Sequence, residues 1–119
     1  MPDISQDVLA ALKSVHTLVF YRQPDVLTQF PCLIYFESGN DVHARADGMP
    51  YLHEIEFTVE IYALSPEITH ALSAAADEKL RAMGLNRTYC CDLFDDDARA
   101  HRRVMRYRAL CDNNSILTQ

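Results

Sequence analysis

Six charged side chains are spaced as if for chemistry. Glu54, Glu56 and Glu60 occupy even positions of one segment, and Arg102, Arg106 and Arg108 occupy even positions of another. Carboxylates gathered on one face can divide the work of general acid and general base when their surroundings push their pKa values apart. The same carboxylates set beside arginines instead pair with them and become part of the scaffold. Cys32, Cys90, Cys91 and Cys111 supply thiols, and His16, His43, His53, His70 and His101 supply imidazoles. A thiol and an imidazole brought together, Cys91 with His101 for instance, would make an activated nucleophile. Asp92, Asp95, Asp96 and Asp97 could gather a cation.

The elements that must carry these residues decide between the possibilities. Residues 51–64 alternate strictly, with Ile55, Phe57, Val59 and Ile61 on one side and the three glutamates on the other. Residues 101–112 alternate in the same way, with Met105, Tyr107, Ala109 and Cys111 opposite the three arginines. A strand turns successive side chains to opposite faces, so each segment has an apolar and a charged face. Two such strands fit as neighbours in one sheet, apolar faces on the core and acids against arginines. The charged six are therefore expected to form a structural ladder.

The other candidates weaken on similar grounds. Cys90 and Cys91 are adjacent, and a strand points them in opposite directions, unlike the paired ligands of a zinc site. Cys32 and Cys111 sit at apolar strand positions and read as buried, inert thiols. The aspartates lack the alternate ligands, central Gly and closing Glu of a calcium loop, and read as a solvated turn. With three glycines there is no phosphate-binding loop and no dinucleotide fingerprint, and no G-x-S-x-G or H-E-x-x-H motif occurs. No catalytic residue, cofactor or metal is expected.

The 119 residues suit one domain spanning 1–119. A helix is expected over 4–14, capped by Asp3 or Ser5, then strands over 18–21 and 30–37, the second opened by Pro31. A long polar loop, 38–50, follows. After the strand 51–64, Ser65-Pro66-Glu67 starts a helix in the usual order of cap, proline and acid. Its stripe is Ile68, Leu72, Ala75, Ala76, Lys79, Leu80 and Met83, and Gly84 ends it. Strands over 85–93 and 101–112 flank an aspartate turn, and 113–119 reads as a flexible tail. The order α-β-β-β-α-β-β predicts an α+β fold: a mostly antiparallel sheet with two helices packed on one face.

The net charge of −6 argues against a general nucleic-acid binder. No tract is long enough to cross a membrane. The start of the chain has neither a basic cluster nor a long apolar run, so no signal peptide is expected and synthesis in the cytosol is. A small α+β enzyme and a regulatory or RNA-binding domain are the alternatives to a structural role.

Several phrases occur in an order that resembles the small tail-completion, tail-terminator or head–tail joining proteins of long-tailed bacteriophages and prophages. They are Val8-Leu9-Ala10-Ala11-Leu12, Val19-Phe20-Tyr21, Phe30-Pro31-Cys32-Leu33-Ile34-Tyr35, Ala46-Asp47-Gly48 and Val59-Glu60-Ile61-Tyr62-Ala63. Met83-Gly84-Leu85 with Arg87, Asp92-Leu93-Phe94 and the closing run from His101 to Arg108 complete the set. The resemblance implies a non-enzymatic subunit that assembles with itself as a ring, six-fold in related terminators, at the head-proximal end of the tail tube. Tail tube and head connector proteins would be its partners, with no membrane and no sequence-specific nucleic acid. Its place would be the virion tail or neck, and the host cytoplasm during assembly. The loop 38–50, with His43, Arg45 and Asp47 at its tips, is then the expected contact with neighbouring subunits.

Overall fold

A computed structural model describes residues 4–22, 29–44, 52–111 and 116–117. The elements run α1 (Ser5–Lys13), β1 (Val19–Tyr21), β2 (Cys32–Ala44), β3 (Leu52–Ala63), α2 (Pro66–Ala82), β4 (Asn86–Asp95), β5 (Ala100–Cys111) and β6 (Ile116–Leu117). The fold is α+β. One sheet is ordered β1-β2-β3-β5-β4, with β6 added to β5. All pairings are antiparallel except β1 on β2, which is parallel.

Alternation places the core. Ile55, Phe57, Val59 and Ile61 of β3 and Met105, Tyr107, Ala109 and Cys111 of β5 are buried together with Leu33 and Tyr35 of β2. Ile4, Val8 and Leu12 from the first helix and Ala76 and Leu80 from the second join the same cluster, so both helices cover one face. Among the described residues, no helix covers the opposite face. At one end it has a smaller cluster of its own, in which Cys32, Ile34, Tyr62 and Ala100 are buried. Leu18, Phe20, Phe30 and Ala98 pack around it, a second core that the charged pattern of that face conceals.

Helix α2 begins and ends where its sequence says. The Ser65 hydroxyl accepts from the Ile68 N–H at 3.3 Å, and Pro66 occupies the first turn. Gly84 has φ 98°, and the amides of Gly84 and Leu85 donate to the carbonyls of Arg81 and Leu80, a Schellman ending. Ser65→Ala should cost about 1 kcal/mol, read as a lower urea midpoint with unchanged slope; an unchanged midpoint would remove the cap from the account.

The buried stripe of α2 differs from the expected one. Thr69, Ser73, Ala76 and Leu80 face the sheet, whereas Ile68 is 41% exposed and Lys79 is also exposed. The hydroxyls make the rotation possible. Thr69 Oγ1 donates to the Pro66 carbonyl at 2.9 Å and Ser73 Oγ to the His70 carbonyl at 3.0 Å, so neither is buried unsatisfied.

Three further expectations need correction. The expected loop 38–50 starts as strand: β2 runs to Ala44 and pairs with β3 as far as Ala44↔Leu52. Gly39-Asn40-Asp41 looked like a turn but lies in the ladder, because register shifts at Glu37/Gly39 and Val42/Ala44 absorb the irregularity as bulges. Within the expected tail 113–119, Ile116 and Leu117 pair with Cys111 and Leu110. The first helix has Ile4 as its N-cap residue with no side-chain cap bond, not Ser5; Asp3 lies outside the described residues.

Candidate functional site

The open face is where the charged residues meet. The β3–β5 register sets Glu56 opposite Arg108, Thr58 opposite Arg106 and Tyr62 opposite Arg102. Arg102 reaches diagonally to Glu60 and grips it with two bonds, Nε to Oε1 at 3.1 Å and Nη2 to Oε2 at 2.9 Å. Tyr62 Oη donates to the same Oε1 at 3.2 Å, and the guanidinium lies 5.8 Å from the Tyr62 ring centroid. Burial pushes the Tyr62 phenol far above its ordinary pKa, so it stays a donor.

The other end of the ladder is more exposed. Arg108 Nε donates to Glu56 Oε2 at 3.2 Å, and its Nη1 lies 3.5 Å from Glu54 Oε1. Ser38 stands at the bulge in β2, and its hydroxyl donates to Glu56 Oε1 at 2.8 Å while accepting from Thr58 Oγ1 at 3.0 Å. The Ser38 hydroxyl first, and then the Arg108 guanidinium, hold the Glu56 carboxyl below the usual carboxylate range against some loss of solvation. Ser38, Gly39, Glu54, Glu56 and Arg108 line a pocket of about 190 Å³. Its carboxylate at Glu56 is thus kept ionised, the reverse of the raised pKa that a general acid needs.

Arg106 departs from the expected ladder. It stands opposite Thr58, and its guanidinium lies 4.7 Å from the ring centroid of Tyr89 on β4. Among the described residues it forms no ion pair with the three glutamates, although its charge still helps to lower the pKa of Glu56.

Two clusters on the helix-covered side were not foreseen. His70 Nε2 lies 3.0 Å from Asp92 Oδ2, and Arg103 Nη1 lies 2.8 Å from Asp92 Oδ1 and 3.2 Å from the His70 nitrogen. Arg103 first, and then His70, keep the Asp92 carboxyl below its ordinary pKa. Tyr107 Oη donates to Asp77 Oδ1 at 2.6 Å, and Arg81 Nε donates to Asp77 Oδ2 at 2.9 Å. Each joins α2 to strands far away in sequence. The hint was an even-numbered acid on β4 and an acid beside the apolar stripe of α2, which becomes legible once the helix is known to cross β4 and β5.

The remaining candidates separate. Cys91 stands opposite Val104, whereas His101 stands opposite Phe94 and packs edge-on against its ring, with centroids 5.2 Å apart. Cys32 and Cys111 are buried, Cys90 and Cys91 are half-buried, and burial pushes the Cys32 thiol up to about 11. Asp95 Oδ1 accepts from the Ala98 N–H at 2.9 Å and so shapes the β4–β5 turn. Among the described residues, no three His, Cys, Asp or Glu side chains gather as a metal site. His43 belongs to β2, not to a loop; Arg45 and Asp47 lie outside the described residues.

Among known proteins, no family model and no curated protein matches the chain.

Proposed function

We propose that this chain is a non-enzymatic structural subunit of a phage or prophage tail, which assembles as a ring that terminates the tail tube or joins it to the head. The observation that carries this reading is the state of the open face. Its glutamates are bonded to Arg102, Arg108, Ser38 and Tyr62 within the chain. Side chains locked in this way stiffen a surface and are occupied before any substrate arrives. The wording of the sequence supplies the family resemblance, and the rigid sheet under two helices is the kind of body that a ring subunit requires.

The pocket beside Glu56 gives an enzyme little to work with, since its acid is held ionised and already bonded. An RNA-binding sheet would present a row of exposed aromatics on a basic face. Here Tyr89 is exposed on the open face, but Phe20 and Phe36 are half-buried and Tyr62 is buried.

The partners on this reading are further copies of the chain, the tail tube protein and the head connector proteins. His43, Arg45 and Asp47 are the contact residues. Replacing the three together by serine should leave the subunit folded, with an unchanged circular dichroism spectrum, and abolish ring assembly as imaged by negative stain. Rings that form as readily as before would remove these residues from the interface.

A further inference from the structure

Strand β4 ends the sheet. Its inner edge pairs with β5 over nearly its whole length, and among the described residues no strand pairs with its outer edge. That edge is ten residues long and mostly exposed. Tyr89 and Leu93 are 43% and 46% exposed, and both lie on the open face, since they stand opposite Arg106 and Arg102. An exposed edge with apolar side chains is a template for another strand.

We propose that the outer edge of β4 pairs with β4 of a second copy of this chain, antiparallel, about a twofold axis that passes at Cys91. The chemistry of the strand selects both partner and register. Antiparallel self-pairing about Cys91 would set Arg87 level with Asp95, but Arg87 lies on the helix-covered side beside Asp77 and Asp95 on the open face, so the apolar side chains, not the charges, select the register. Residues directly opposite must share a face. With Cys91 on the axis, Tyr89 faces Leu93 of the second copy and Leu93 faces its Tyr89, so each exposed apolar side chain covers another. Sliding the axis to Asp92 would oppose two carboxylates. Sliding it to Cys90 would leave Leu93 without an apolar partner. The two sheets then continue as one, and helices stay on a single side. This pairing stands independently of the ring reading.

The register is testable through its cysteines. Residues directly opposite in an antiparallel pair have Cα atoms about 4.5–5.5 Å apart, inside the range of about 4.4–6.8 Å that a disulfide spans. Cys91 of the two copies meets that condition. Cys90 of the two copies would be offset by two residues, roughly 8 Å apart, and would not bridge. Cys32 and Cys111 are buried and remain out of reach.

The experiment combines sedimentation equilibrium with copper-catalysed air oxidation of Cys90→Ser and Cys91→Ser. The expected result is self-association in which pairs form, alone or within larger assemblies, with a rapid disulfide-linked pair on a denaturing gel for Cys90→Ser and none for Cys91→Ser. Leu93→Lys, with its fold checked by circular dichroism, should weaken the dimer roughly tenfold or more because symmetry removes two cross-strand contacts at once. Tyr89→Lys should do the same. A monomer at all concentrations overturns the proposal. So does an oligomer that leaves Cys91 unlinked, or one that survives both lysine variants, which would place the contact on another edge. Rings that persist in Leu93→Lys would reject this pairing as the ring contact without touching the ring reading.

Discussion

Arg102→Ala should cost about 3 kcal/mol of folding stability, the low end of the range for breaking a buried ion pair from one side. The Glu60 side chain is only 8% exposed, and both of its oxygens are held by Arg102. Truncating the arginine leaves a buried carboxylate with Tyr62 Oη as its remaining donor among the described residues. The value lies at the low end because Arg102 itself is 29% exposed and water can enter beside it. The double variant Arg102→Met with Glu60→Gln should recover much of the loss, since it removes the unpaired charge. Arg108 gives the internal contrast. It is 51% exposed and its partners Glu54 and Glu56 are 40% and 21% exposed, so Arg108→Ala should cost under about 1 kcal/mol. Urea unfolding of the two variants checks this, and equal losses would mean that burial does not set the strength of the ladder.

Phe57→Ala should be the more damaging change, at about 4 kcal/mol. Phe57 is fully buried on the central strand, opposite Glu37 on one side and Tyr107 on the other, and its ring stacks on Tyr35 with centroids 6.5 Å apart. Neighbours fixed in two strands and under two helices cannot collapse into the space left behind. Phe94 is 53% exposed near the end of β4, and Phe94→Ala should change stability by less than about 0.5 kcal/mol. A loss of only 1 kcal/mol at Phe57 would show that the helix-covered core repacks, and would contradict the rigid body on which the functional reading relies.

The fold was legible wherever one physical signal acted alone. Strict alternation in β3 and β5 revealed two adjacent strands, and Ser65, Pro66 and Gly84 marked the ends of α2. It was obscured where tertiary structure overrode local composition. Gly39-Asn40-Asp41 carries turn chemistry, yet bulges let the residues stay in β2, and one of them aims Ser38 at Glu56. Thr69 and Ser73 do not read as core residues, because nothing local shows that their hydroxyls will bond back to their own helix. At the site, the acids and arginines were readable as a ladder, but the choice of Tyr89 by Arg106 was not. That choice depends on β4 lying next to β5, and pairing order is a property of the whole sheet. The His70–Asp92–Arg103 cluster was hidden for the same reason, since its members come from α2, β4 and β5.

If the open face is scaffold and the chain a ring-forming subunit, the purified protein closes into rings. Sedimentation velocity of the purified protein over a wide concentration range, with negative-stain imaging of the largest species, tests it most directly. The expected result is closed rings with a central hole, growing at the expense of smaller species as concentration rises. A protein that never exceeds a dimer at any concentration reached would contradict it.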